Sequence, residues 1–294
     1  MNFLDVKTDY AFKKVFGSVE SKDILISFLN ALIYEERDNK IKDLEIVDPY
    51  NIPMIKGVKD TFVDVKAQLD NNTKVIIEMQ ILNHAGFEKR VLYNAAKNYS
   101  IQLNKSEDYH LLNPVIALSI VDFDMFPNTN EIITNFKLIE KEQFIDYNDD
   151  IELIFVELQK FNKEEDELSS IKDQWLYFLK NAGSLEYIPN NIDDILKDAL
   201  DTVNQANMSA EEIEAQRKRK EFIYIQKNSI ELAKEQGLEQ GLEQGLEQGL
   251  EQGIEQGINQ RNIEIAKNLL DVLDNETISN KTNLSIDIIK KLRL

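Results

Sequence analysis

The sequence predicts an α/β protein, a mixed β-sheet with helices packed on it. Three observations carry that expectation. Two apolar runs, NPVIALSIVDF (113–123) and IELIFVEL (151–158), are continuous and bounded by turn residues, as central strands buried on both faces are. The stretch FVDVKAQLDNNTKVIIEMQ (62–80) alternates apolar and polar residues and reads as two strands joined by a turn. Segments with helical apolar spacing surround these, so the order is helices, three strands, a helix, two strands, then helices.

The first element is a short helix in TDYAFKKVFG (8–17). Thr8 is placed to cap it, Phe12, Val15 and Phe16 keep helical spacing, and Gly17 ends it. SKDILISFLNALI (21–33) is the second helix, capped by Ser21, with Ile24, Leu25, Phe28, Leu29 and Leu32 on its buried stripe. KIKDLEIV (40–47) is a strand, the hairpin over 60–81 follows, and a helix occupies roughly 85–104. After the two apolar strands, SSIKDQWLYFLKNAG (169–183) is an amphipathic helix, and residues 190–232 read as helical and strongly charged. Residues 237–260 are six copies of a four-residue unit, GLEQGLEQGLEQGLEQGIEQGINQ. The last segment, NETISNKTNLSIDIIKKLRL, has the proportions of a short helical hairpin, which serves as a helical cap for the tail or as a helix-turn-helix.

Composition narrows the function classes. With 294 residues the chain can bury a proper core and carry a second small domain. It has no cysteine, hence no disulfide and no cysteine zinc site, and its two histidines, His84 and His110, are too few for a histidine-built metal site. No stretch approaches the ~18 apolar residues of a membrane span, and the N-terminus lacks a signal-peptide run, so a cytoplasmic protein without a membrane partner is expected. The net charge of −19 is uneven: −2 over residues 1–110 (15 Lys/Arg, 17 Asp/Glu), −13 over 111–210 (7 and 20) and −4 over 211–294 (12 and 16). The part containing the hairpin is nearly neutral, so the acidity of the chain leaves phosphate binding there open.

Register sharpens the hairpin. Val63, Val65, Ala67 and Leu69 share one face of the first strand, and Phe62, Asp64, Lys66 and Gln68 share the other. On the second strand Val75, Ile77, Met79 and Ile81 alternate with Lys74, Ile76, Glu78 and Gln80. A three-residue loop, Asp70-Asn71-Asn72, pairs Leu69 with Thr73 and therefore Asp64 with Glu78. Directly opposed Cβ atoms are ~4.5–5.5 Å apart, and two carboxylates at that spacing repel. A divalent cation between them removes the repulsion, and magnesium favours one or two carboxylates with waters and phosphate oxygens. A polar sheet edge with Lys66 offsetting the carboxylates is the plainer alternative, and spacing alone leaves both open.

Asp64 followed by Glu78-Met79-Gln80 on the next strand resembles the PD-(D/E)xK nuclease motif. DYAFKKVFG (9–17), IEMQ (77–80), KRVLYNAAKNYSIQL (89–103), PVIALSI and QWLYFLK (174–180) are similar to the Rpn-like recombination-promoting nucleases, the PD-(D/E)xK nuclease family transposases. The resemblance covers most of the chain. It implies a restriction-endonuclease-like core over 1–160, a helical extension over 161–232, the repeat as helix or linker over 233–262, and a helical hairpin over 263–294. It also implies that Asp64 and Glu78 ligate magnesium or manganese, with the Met79 carbonyl as a third ligand. Gln80 stands where the motif carries lysine, and Lys66 is the candidate for the displaced cation. Asp9 and Lys13, one helical turn apart, approach the site in this reading; a surface ion pair is the plainer one. Arg90, Asn94 and Lys97 share a helical face that either contacts DNA phosphate or solvates the helix. Two functions follow: a metal-dependent endonuclease acting on double-stranded DNA, or a degenerate nuclease fold kept as an oligomerising or DNA-binding module. The repeat is expected to be helical and to join copies of the chain into a homo-oligomer.

Overall fold

In a computed structural model of the chain, residues 1–51 and 61–293 are described. Asp60, the first residue of the expected hairpin span, lies outside them. The chain divides into two units, residues 1–226 and 227–294.

The first unit opens with α1 (Asp9–Phe16) and α2 (Lys22–Leu32). Thr8 and Ser21 precede these helices, but neither caps with its side chain. The Thr8 hydroxyl donates to the Asp5 carbonyl, and that of Ser21 to the Lys14 carbonyl. Strands β1 (Leu44–Val47), β2 (Tyr50–Asn51), β3 (Thr61–Phe62), β4 (Val65–Leu69) and β5 (Lys74–Gln80) lead to α3 (Phe87–Ser100). Then come β6 (Val115–Val121), β7 (Ile133–Ile139), β8 (Asp146–Glu157), α4 (Ile171–Asn181), α5 (Asp194–Thr202) and the start of α6 (Ala210–Leu269). Strands β2 and β3 pair with each other in a two-stranded sheet. The other six form one sheet in the order β1-β4-β5-β6-β8-β7, with β5, β6 and β8 parallel and the outer pairings antiparallel.

Both faces of this sheet are covered, which is why the central strands read as unbroken apolar runs. Along β6, Ile116, Leu118 and Ile120 face a large core shared with α1, α2, α4 and α5, in which Trp175 meets Phe16 and Phe28. Val115, Ala117 and Val121 face a smaller core under α3, with Phe87, Val91 and Ala95. The helix α4, in the stretch expected to be a helical extension, packs in the same core as α1. Sequence reading missed the edge strand β7, which interrupts the expected pair of final strands and pairs antiparallel with β8.

In the second unit the repeat is helical throughout, within α6. Its stripe of Leu238, Leu242, Leu246, Leu250, Ile254 and Ile258 is 55–75% exposed. The chain ends in α7 (Asn275–Thr282) and α8 (Ile286–Leu292), a helical pair that closes a small core of Ala266, Ile278, Leu284 and Ile289.

Candidate active site

The hairpin takes the expected register over β4 and β5: Val65, Ala67 and Gln68 lie opposite Ile77, Val75 and Lys74, and the Leu69 N–H donates to the Thr73 carbonyl at 2.9 Å. Asn72 adopts the left-handed conformation that closes the loop (φ 66°). At Asp64 the register changes. Its N–H donates at 3.1 Å to the carbonyl of Ile77, the residue already opposite Val65, so Asp64 is an extra residue on the first strand. Such a bulge bends the strand and re-aims a side chain. It also turns Val63 into the core under α3, away from the face shared by Val65, Ala67 and Leu69. Asp64 and Glu78 are therefore offset by one position instead of directly opposed.

The bulge aims the Asp64 carboxylate along the strand edge, where its Oδ2 accepts the Met79 N–H at 2.8 Å. Lys13 of α1 reaches its other oxygen at 3.5 Å. Glu78 stands on the α3 face of β5: Asn94 Nδ2 donates to its Oε1 at 2.5 Å and Arg90 lies 3.4 Å from its Oε2. Both side chains are largely withdrawn from water, at 14% exposure for Asp64 and 11% for Glu78. Burial raises the Asp64 pKa, the Met79 N–H opposes it, Asp9 adds to it and Lys13 counters it, leaving the carboxyl above its usual range. Burial likewise raises Glu78; Arg90 pulls it down and the charge of Asp64 pushes it up, with a net rise. Glu78 thus senses the charge of Asp64 in poorly hydrated surroundings.

A divalent ion fits these donors. Within a strand, every second residue turns its N–H and C=O to the same neighbour. Ile77 and Met79 both turn theirs toward the Asp64 side, so the Met79 carbonyl lies on the edge of β5 that faces Asp64. Three oxygens without nitrogen or sulfur suit a hard cation. Among the described residues no cluster of three or more Asp, Glu, His or Cys side chains is formed, so the carbonyl and water complete any such shell.

The remaining expected residues divide. Asp9 and Lys13 do approach the site from α1, Asp9 through its charge on Asp64. Gln80 donates to the Leu82 carbonyl at 2.7 Å and accepts from Arg90 at 2.6 Å. Among the described residues the cations that touch the two carboxylates are Lys13 and Arg90; the pKa of Lys66 is lowered by burial and by Lys74, and Asp48 opposes this. Asn94 and Lys97, on the face expected either to contact phosphate or to solvate the helix, are both buried, because α3 turns that face onto the sheet. His84 lines a cavity with Asp9, Met79 and Gln80.

Sequence reading missed the neighbours supplied by α6. The Tyr10 hydroxyl donates to Glu212, and the Thr8 hydroxyl lies 3.3 Å from the Gln216 carboxamide. These contacts link positions about 200 residues apart in the chain, and no local spacing signals them.

A mixed six-stranded sheet flanked by helices, with its acidic pair on a bulge and the strand beside it, is PD-(D/E)XK nuclease-like. The chain belongs to the PD-(D/E)XK nuclease family transposases, whose family model matches residues 6–233. Searches of curated proteins and of solved structures returned no match. No helix among the described residues is long and apolar enough to cross a membrane.

Proposed function

We propose that the protein is a divalent-metal-dependent endonuclease that hydrolyses phosphodiester bonds in double-stranded DNA. The observation that carries this reading is the pair of largely buried carboxylates, Asp64 and Glu78, on neighbouring strands, with the charge of Asp64 felt at Glu78. A fold built for stability alone gains nothing from two desolvated acids whose burial raises both pKa values, with the charge of Asp64 raising Glu78 further. Membership of a transposase family supports reading such cleavage as part of DNA recombination or mobile-element activity.

Asp64, Glu78 and the Met79 carbonyl would hold magnesium or manganese. When bound, the ion supplies charge stabilisation on the phosphate and a water acidic enough to attack at neutral pH. The protein's part is positional. The Met79 N–H fixes the Asp64 carboxylate, and Asn94 fixes that of Glu78, so neither ligand spends freedom on binding. Arg90, tethered by Gln80, brings to the site the positive charge that the motif's lysine would provide. Lys13 brings a second one from α1. Both cations are about half exposed, which leaves them open to a phosphate group.

Gln80 in the lysine position favours a second reading, a degenerate nuclease fold that binds DNA without cutting it. One experiment separates the two. The purified protein is expected to nick or linearise plasmid DNA with magnesium or manganese and to stop when chelator is added. Asp64→Ala and Glu78→Ala should each reduce the rate by orders of magnitude. Equal trace activity in wild type and both variants would mark a contaminant and leave the binding module.

A further inference from the structure

The start of α6 supplies one wall of a cavity whose opposite wall belongs to the candidate site. Arg219, Phe222, Ile223 and Gln226 fall at helical spacing on one face of α6 and line this cavity of about 280 Å³. Across from them stand Met79 and Gln80 at the end of β5, with Asp9 and Lys7 from the N-terminal segment. Lys7 also lies 3.5 Å from Asp122. The docking is fixed a turn or two earlier on α6 by the Tyr10–Glu212 hydrogen bond and the Thr8–Gln216 contact.

The lining has two chemical ends. The Arg219 guanidinium lies 5.7 Å from the centroid of the Phe222 ring, and that ring is 51% exposed. An apolar ring left in water beside a cation suits a ligand with a flat face and a negative charge. A nucleotide has both, and proteins hold unpaired strands by combining cationic grooves with aromatic stacking. The volume suits one nucleotide: it falls just under the ~300–1,000 Å³ range of small-molecule sites.

We propose that this cavity takes one unpaired nucleotide of the cut strand, adjoining the scissile phosphate, with its base on Phe222 and its phosphate on Arg219. The inference rests on the nuclease reading for the neighbouring acidic pair and narrows its substrate to duplex DNA with a local opening: a bubble, a flap or a frayed end. Unstacking a base costs least where the base is already unpaired, so such openings are selected over intact duplex.

The test uses the full chain in chelator, so that binding is read without cleavage. The probes are two duplexes of one sequence, with 2-aminopurine either in a three-nucleotide bubble or fully paired. Wild type is expected to bind the bubble more tightly and to quench its fluorescence by stacking. Phe222→Leu should abolish the quench and weaken binding roughly 5- to 150-fold, the range that base–aromatic stacking spans. Phe222→Trp, which keeps a ring, should restore both. Arg219→Gln should weaken binding and reduce its salt slope by about one. Thermal melting confirms that each variant folds. Equal binding of the two duplexes by wild type, or wild-type quench and affinity in both Phe222→Leu and Arg219→Gln, would overturn the proposal. Because cleavage is not the readout, a protein that never cuts DNA would sink the nuclease reading while leaving this result to stand or fall by itself.

Discussion

Gln80 stands where the family motif has lysine, and both ends of its carboxamide are used, one on the Leu82 carbonyl and one on Arg90. A lysine there has no acceptor to offer Arg90 and places a second cation against it. Gln80→Lys nominally restores the motif, yet it is expected to lower the single-turnover cleavage rate by expelling Arg90. Arg90→Gln should cost about 10²- to 10³-fold, the scale of removing one preorganised electrostatic group, whereas Lys66→Ala should stay close to wild type. Greater loss in Lys66→Ala than in Arg90→Gln would return the cationic role to Lys66. Asn94 acts through Glu78, so Asn94→Ala should weaken manganese binding about 10- to 100-fold, as loss of a ligand's outer partner does, when followed by calorimetry. Unchanged affinity would leave Asn94 a helix-packing residue. At this scale the acidic pair was legible, because alternation and turn length bring Asp64 and Glu78 close whichever way the strand ends. The partners of the pair were less so. Arg90 and Asn94 share a helical face in sequence, but which face meets the sheet depends on the core under α3.

Among the elements, α4 shows how local signals and tertiary contacts combine. Ser170 and Asp173 form a reciprocal capping box at its start. Burial works against ionised Asp173, but the Lys163 ammonium and the Ser169 N–H and hydroxyl outweigh it and hold the carboxyl at about 2. A depressed carboxylate pKa contributes stability that is present above the unfolded value, ~3.9, and is lost as pH falls toward the folded one. Asp173→Asn should therefore cost about 2 kcal/mol at pH 7, with the deficit shrinking between pH 4 and pH 2 in urea unfolding. A deficit that stayed constant over that window would mean that packing, not charge, is lost. The sheet was legible wherever both faces are apolar, as in β6, and where the turn sets register, as in β4 and β5. It was not legible at the bulge, since an extra residue leaves the alternation of residue types unchanged and only shifts the face from Val63 backwards. Nor did β7 stand out: its side chains are half-buried at most, so it carries no buried-strand signature.

At the scale of the whole molecule the open question is why a long exposed helix tolerates six glycines. Each costs a helix about 1 kcal/mol relative to alanine, or about 6 kcal/mol together. None is required by crowding within the chain: a Cβ built at Gly237, Gly241, Gly245, Gly249, Gly253 or Gly257 meets nothing within 4 Å. The apolar residue beside each glycine recurs every four positions, so its stripe advances ~40° per repeat around a straight helix. A period above 3.6 keeps such stripes in contact only if the helices wrap around each other right-handed. Glycine next to each leucine or isoleucine would let two backbones approach closely. We propose that the repeat joins two copies of the chain, which would suit the proposed endonuclease, since two active sites most simply cut two strands. Truncation after Asn228 should then yield a monomer by light scattering, one that still nicks plasmid but seldom linearises it. Replacing Gly241, Gly245 and Gly249 with alanine separates helix formation from association: helix content in the isolated tail should rise while the full chain associates more weakly. An unchanged mass and an unchanged ratio of linear to nicked product after truncation would make the repeat a linker.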